Sequence, residues 1–264
     1  MERQFTLSCC STVDLPYSYM ESRDIPVLFY TYVVDGVEYD DDMGRDPEAL
    51  PRFYRFIREG KLPQTSQINV AAYTEFFERL LQKGDLLHIA FTSGQSGSVH
   101  NAFLAAEELR AKYPERKLIV IDSLCACMGE GLLVYKAVQM KRAGKSLEEV
   151  AQWVEENKLK ICHFFMVEDL NHLQKGGRIS KTAAVLGTMV QIKPIIYLDN
   201  EGKLQIIKKE RGRKKAMNKI VDMAIDACEG KVPDMVMIPH GNCPKDAEYV
   251  AELVRKKMGV TNIM

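Results

Sequence analysis

Leu86-Leu87-His88-Ile89-Ala90-Phe91-Thr92-Ser93-Gly94-Gln95-Ser96-Gly97-Ser98, continued by Val99-His100-Asn101-Ala102-Phe103-Leu104-Ala105-Ala106-Glu107-Glu108-Leu109, is the stretch that decides the fold. The apolar run Leu86 to Phe91 is short and follows the turn signal Lys83-Gly84-Asp85, so it reads as a buried strand. Beyond the loop, Val99, Ala102, Phe103, Ala106 and Leu109 recur at helical spacing and predict one apolar stripe. The loop between them ends at a helix start, where unpaired backbone N–H groups and the positive end of the helix dipole coincide. Gly94 and Gly97 allow close approach of the backbone, while Ser93, Ser96 and Ser98 supply hydroxyls. The chemistry is that of a cup for an anion. A plainer alternative, in which Ser96 or Ser98 caps its own helix and nothing binds, stays open at this point. Three sharper motifs fail. A nucleophile elbow needs glycine where Ser98 stands, a P-loop needs a lysine near its end, and the dinucleotide fingerprint needs a third glycine.

The bulk composition narrows the function classes. The 264 residues are 46% hydrophobic, and 36 basic side chains balance 36 acidic ones, so no general attraction to nucleic acid or an anionic membrane follows. No apolar run approaches the roughly 18 residues of a membrane span, and Met1-Glu2-Arg3-Gln4-Phe5 lacks a signal-peptide layout. Seven cysteines, with Cys9, Cys125, Cys162 and Cys228 in or beside apolar stretches, read as small hydrophobes of a reducing compartment. A cytoplasmic chain without a transmembrane segment or metal site is the expectation.

Along the chain, strands and helices alternate. Phe5 to Cys9 is a strand running into Ser11, Thr12 and Asp14, and Pro26 to Val34 is dense in β-branched and aromatic residues, hence strand. Asp35-Gly36 predicts a tight turn into Val37-Glu38-Tyr39. Asp40-Asp41-Asp42 lacks the alternation of a calcium loop and reads as a solvated loop with a capping role. A helix follows Asp46-Pro47, then Pro63-Gln64-Thr65-Ser66-Gln67, with Ser66 as the expected cap of the helix Val70 to Gln82. Lys117 to Ser123 is a strand ending in polar residues, and Ser146 and Glu149 form a capping box.

From Ile161 the pattern changes. A strand, a short helix from Asp169 to Gln174, Gly176-Gly177-Arg178 and a helix capped by Ser180 precede two strands joined by the hairpin signal Asp199-Asn200-Glu201-Gly202. Arg211-Gly212-Arg213-Lys214-Lys215 opens an amphipathic helix, Met235 to Ile238 is a strand, and Pro244 to Met258 a helix. The expected fold is α/β with two domains. Residues 1–158 form a parallel sheet covered by helices on both faces, and residues 159–264 an α/β domain with an antiparallel hairpin. Ligands of such sheets sit at the carboxyl ends of the strands, where the hydroxyl clusters fall.

Taken together, Ser11-Thr12-Val13-Asp14-Leu15-Pro16, Pro63-Gln64-Thr65-Ser66-Gln67, Thr92-Ser93-Gly94-Gln95-Ser96-Gly97-Ser98, Gly176-Gly177-Arg178-Ile179-Ser180, Ile192-Lys193-Pro194-Ile195 and Arg211 to Ala216 resemble the DegV family. Each motif is weak alone; their order and spacing over essentially the whole chain carry the resemblance. It implies a two-domain fatty-acid-binding protein, itself no enzyme and without a cofactor, that serves a separate bacterial fatty acid kinase as lipid-carrying subunit. It implies that Thr65, Ser66, Ser93 and Gly94 hold the carboxylate, with Arg178 close by and the acyl tail in an apolar slot between or beneath the domains. Ser11, Ser96 and Gly97 complete the expected ligand-binding set. Burying roughly 15 methylenes at about 0.8 kcal/mol each gives about 12 kcal/mol before ordering costs.

This chain departs from the family twice. Cys10 stands where the family has Asp, and Val260 to Met264 ends about where the strand leading to the family's Gly-x-His-x-Gly-Pro stretch would begin. Either the sequence stops short of that element or this member lacks it. Two other function classes remain at this point: an acyl-transfer or phosphate-ligand enzyme using Ser93 or Ser96, and a regulatory protein whose lipid is a structural filler.

Overall fold

The structure, a computed structural model, describes residues 5–168, 170–180 and 191–264. The helix expected after Ser180 and the Asp169 start of the short helix before it lie outside these residues. Two compact units divide the chain, Met1–Ile161 and Cys162–Met264.

The first unit opens with β1 (Thr6–Cys10), a single 3-10 turn over Ser11–Val13 and α1 (Tyr17–Glu21). The segment Pro26 to Val34, expected as one strand, divides into β2 (Val27–Leu28) and β3 (Thr31–Val34), which belong to different sheets. The cause is a long-range bond. The Tyr30 N–H donates to Ser11 Oγ at 3.1 Å instead of to a ladder neighbour, and the chain leaves one sheet for the other there. β4 (Val37–Asp40) pairs with β3 across Asp35 and Gly36, both at positive φ, as a tight two-residue hairpin turn requires. Asp42 then accepts the Gly44 and Asp46 N–H groups, ordering the acidic loop ahead of α2 (Ala49–Arg58). β5 (Gln64–Thr65) adds to the other edge of β3. α3 (Val70–Leu81) is capped by Asn69, whose Oδ1 accepts the Ala72 N–H, and not by Ser66.

β6 (Leu86–Ala90), α4 (Ser98–Lys112), β7 (Leu118–Asp122), α5 (Cys127–Arg142) and α6 (Leu147–Asn157) follow, the last with its capping box in place. The main sheet is parallel, in the order β2-β1-β6-β7, with Thr6 opposite Leu86 and Leu86 opposite Leu118. Side chains alternate between its faces. Cys10, Leu86, Leu118 and Val120 join Tyr73, Phe77, Ala102 and Leu109 in the core beneath α3 and α4. Leu7, Cys9, Leu87 and Ile89 turn the other way, toward α5 and α6, and are fully buried. The buried stripe of α4 runs Val99, Ala102, Ala105, Ala106, Leu109; Phe103, expected in it, is 39% exposed. Three alanines on that face let α4 lie close against α3 and the sheet.

In the second unit β8 (Phe164–Met166), α7 (Asn171–Lys175), β9 (Ile192–Leu198) and β10 (Leu204–Arg211) give an antiparallel sheet in the order β10-β9-β8. α8 (Arg213–Ala227) and α9 (Pro244–Met258) pack together over Val221, Val254 and Val260. The expected strand Met235 to Ile238 is reduced to a bridge. Val236 pairs in parallel with Ile263, and Met264 donates its N–H to Val236 O at 3.0 Å.

Candidate functional site

The loops that leave β1, β6 and β7 meet at the carboxyl end of the main sheet, where a parallel sheet places its ligands. Loop 91–97 is central. Asp122, the last residue of β7, reaches across with Oδ1 to accept the N–H groups of Ser93 and Leu124, both at 3.1 Å. Thr92 N–H donates to Cys125 O at 3.2 Å, and Thr92 Oγ1 accepts the Gly94 N–H at 3.0 Å. The segment after β5 is stitched to the other side of the same loop. Ile68 N–H donates to Ser98 Oγ at 3.1 Å, and Asn101 Nδ2 donates to Ile68 O at 2.8 Å. The Gln67 amide lies across Gly97, where a Cβ would stand 2.9 Å from its Oε1. A bare backbone at Gly97 is what lets the Thr65-Ser66-Gln67 motif come up to the start of α4. The motif that leaves β1 is drawn in by a second glycine: a Cβ on Gly131 of α5 would stand 2.4 Å from Val13 O.

The hydroxyls of these motifs fall into two groups. Ser11, Ser96 and Ser98 are buried and committed. Ser11 Oγ accepts from Tyr30 N–H and donates to Asp41; Ser96 Oγ accepts from Ser98 N–H at 3.2 Å and shares a 3.0 Å bond with Ser98 Oγ. Thr65, Ser66 and Ser93 are exposed, and their hydroxyls have no partner among the described residues. Only backbone groups of these three are tied down, Ser66 N–H to Thr31 O and Ser93 N–H to Asp122. Gly97 stands at the N-cap of α4 and offers no side-chain acceptor to its first turn. The arrangement can donate hydrogen bonds to an acceptor-rich ligand at the positive end of a fifteen-residue helix.

Acidic side chains near this edge carry less charge than their number suggests. Glu130 of α5 is fully buried, and burial pushes its carboxyl well above the usual range. Thr12 Oγ1 donates to its Oε2 at 2.9 Å, and Oε1 has no partner among the described residues. Desolvation raises Asp14 to about 6 against the bond it makes with Cys127, and burial raises Asp41 against its bond from Ser11. A neutral or half-neutral rim repels a carboxylate or phosphate far less than three full charges would.

Beneath the site, Cys10 does not reproduce the carboxylate the family resemblance implies there. Its Sγ lies 3.7 Å from His88 Nε2 and 3.5 Å from Tyr73 Oη, while Ser8 Oγ is 2.9 Å from His88 Nδ1. Burial lowers His88 to about 3 and raises the Cys10 thiol and the Tyr73 phenol, so the cluster is uncharged. Neither Ser93 nor Ser96 hydrogen-bonds a histidine among the described residues, so the geometry activates neither as a nucleophile. No group of three or more metal-ligating side chains occurs among the described residues.

Arg178, in the second unit, is exposed and donates through Nη1 to Gly176 O, the close approach that Gly176 and the positive φ of Gly177 allow. Sequence reasoning missed Asp122, Gln67, Asn101 and Glu130. The polar pair Asp122-Ser123 at a strand end was the available signal for the first; the others act through partners far away in sequence.

Comparison with known proteins places this geometry in context. The model of the DegV family, described as uncharacterised proteins, matches residues 10–264. A DegV domain-containing protein of Clostridium perfringens is 40% identical over 264 residues, covering 99% of this chain and 90% of the relative. One of Listeria monocytogenes is 31% identical, covering 99% and 91%. Among solved structures, a Thermotoga maritima protein reported to reveal a fatty acid binding function superposes with a TM-score of 0.84 at 25% identity, covering 99% of this chain and 91% of that one. DegV of Bacillus subtilis, described as a fatty acid binding protein, superposes with a TM-score of 0.82 at 25% identity, covering 100% and 92%. No helix among the described residues is long and apolar enough to cross a membrane.

Proposed function

The chain belongs to the DegV family, and on that premise we propose that it binds a long-chain fatty acid and presents it to a separate fatty acid kinase. The carboxylate is held by the hydroxyls of Thr65, Ser66 and Ser93 beside the start of α4, with Gly94 allowing a close approach of the backbone, and the acyl chain occupies an apolar slot. The observation that carries this reading is the division of the hydroxyls. The exposed three have no partner among the described residues and are open to a ligand, whereas Ser11, Ser96 and Ser98 already have theirs. Ser11, Ser96 and Gly97 therefore shape the site rather than donate to the ligand. Arg178 supplies a positive charge for the head group or for the kinase.

The chain acts as a binding subunit, not as a catalyst. Support comes from Ser96, whose hydroxyl is taken by Ser98, and from Ser93, whose backbone is anchored but whose hydroxyl meets no base. Two measurements test the reading. Mass spectrometry of an organic extract of the purified protein is expected to find a long-chain fatty acid in stoichiometric amount. A fluorophosphonate probe is expected to leave Ser93 and Ser96 unlabelled, and covalent labelling of either would favour the acyl-transfer enzyme.

A further inference from the structure

The opposite end of the main sheet holds a second concave feature, a recess of about 670 Å³ in the first unit. Its walls bring four cations together from separate parts of the chain: Arg23 between α1 and β2, Lys83 after α3, and Lys141 and Arg142 at the end of α5. Asp24 is the single carboxylate among the lining residues. Helix dipoles explain part of this, since Lys83, Lys141 and Arg142 stand at helix carboxyl ends, where cations are favoured. They do not explain why Lys141 is held back from solvent. The residue is half-buried, its ammonium lies 5.4 Å from the centroid of the Phe5 ring, and it makes neither an ion pair nor a hydrogen bond among the described residues. Desolvation lowers its pKa, and only the charge of Asp24 opposes that shift. A lysine on an ordinary surface extends its ammonium into water; one held back half-buried, with only the Asp24 charge to offset its desolvation, gains from an anion that enters.

Arg23 is already arranged as a donor. Its guanidinium lies 3.8 Å over the Tyr19 ring and is pinned by bonds to Tyr19 O and to Ser22 Oγ, which orders the remaining N–H groups. Thr6 and Ser22 line the same recess, and Leu80 and Pro26 give it an apolar side.

We propose that this recess is a binding site for a small phosphate monoester, its dianion among Lys83, Lys141, Arg142 and Arg23 and its organic part against Phe5, Pro26 and Leu80. The volume suits an ester better than phosphate alone, since pockets for whole small molecules run from about 300 to 1,000 Å³. The site lies at the amino ends of the strands, away from the hydroxyl cluster, and is independent of the fatty-acid reading.

The full chain is titrated by NMR with adenosine 5′-monophosphate, adenosine and inorganic phosphate, in the wild type and in Lys83→Ala and Arg142→Ala. Both lysine and arginine are exposed, so the substitutions open no cavity. Adenosine 5′-monophosphate is expected to shift the amide signals of Phe5, Thr6 and Lys83 saturably, tighter than inorganic phosphate, with no response to adenosine. Each substitution is expected to weaken binding about tenfold or more while fatty acid binding stays unchanged. No saturable response, unchanged affinity in both variants, or inorganic phosphate binding as tightly as the ester would each overturn the proposal.

Discussion

Ser98→Ala removes the clasp between the two hydroxyl motifs. Ser98 Oγ accepts the Ile68 N–H and shares a bond with Ser96 Oγ, and all three residues are buried. Alanine leaves the Ile68 N–H without an acceptor in a residue that is 7% exposed, which costs about 1–3 kcal/mol, and frees the Ser96 hydroxyl as well. A central figure of about 2 kcal/mol corresponds to a fall in Tm of about 4–8 °C for a unit of this size. The ligand effect follows from the same bond. Once the strand carrying Thr65 and Ser66 is no longer pinned at Ile68, its hydroxyls lose their fixed aim and fatty acid affinity falls several-fold. Differential scanning calorimetry and fatty acid titration read the two effects, with Asn101→Ala as companion because it removes the bond to Ile68 O. Coupling between the substitutions is expected, since both act on one residue. An unchanged Tm together with unchanged affinity in Ser98→Ala would refute the clasp.

Gly131→Ala is expected to cost about 1–3 kcal/mol in denaturant melts, because its Cβ would stand 2.4 Å from Val13 O and backbone on both sides has to give; equal stability would show slack between α5 and the turn at residues 11–13. Glu130→Gln tests the neutral rim. A carboxyl raised above 4.5 in the folded chain stabilises fully below that pH and loses its contribution as pH rises. The variant should therefore gain on the wild type between about pH 5 and about pH 8, measured as the difference of two urea midpoints. His88, lowered to about 3, acts with the opposite sign, losing its contribution as pH falls below 6.5, and cancels in that difference. A difference that does not change with pH would contradict a buried, protonated Glu130.

The parts of this fold that the sequence carries in full are those set by neighbours along the chain. Leu86 to Ala90 and the helix after it follow from a short apolar run and a helical period; Asp35-Gly36 makes its hairpin because both residues tolerate positive φ; Ser146 and Glu149 cap their helix reciprocally. Distant partners decide the rest. Nothing within Pro26 to Val34 says that Ser11 takes the Tyr30 N–H and splits the strand, nor does Ser66 reveal that Asn69 wins the cap. The site divides the same way. The motifs named segments that the fold brings to one sheet edge, but Ser93 and Ser96 look alike in sequence, and only the bond to Ser98 separates a committed hydroxyl from one without a partner among the described residues. Phe103 fell outside the buried stripe for a packing reason, since three alanines let α4 sit too close for a ring on that face.

The central claim is that free hydroxyls at the start of α4 hold a carboxylate, and titration of a fatty acid carrying a 13C-labelled carboxyl group tests it most directly. The wild type is expected to bind one equivalent with a shifted carboxyl resonance. Thr65→Ala combined with Ser93→Ala removes two donors to a charged acceptor, each contributing roughly 1.5–3 kcal/mol, and is expected to weaken binding at least a hundredfold and return the resonance toward its value in water. The same affinity and the same carboxyl shift in the double variant would contradict the account.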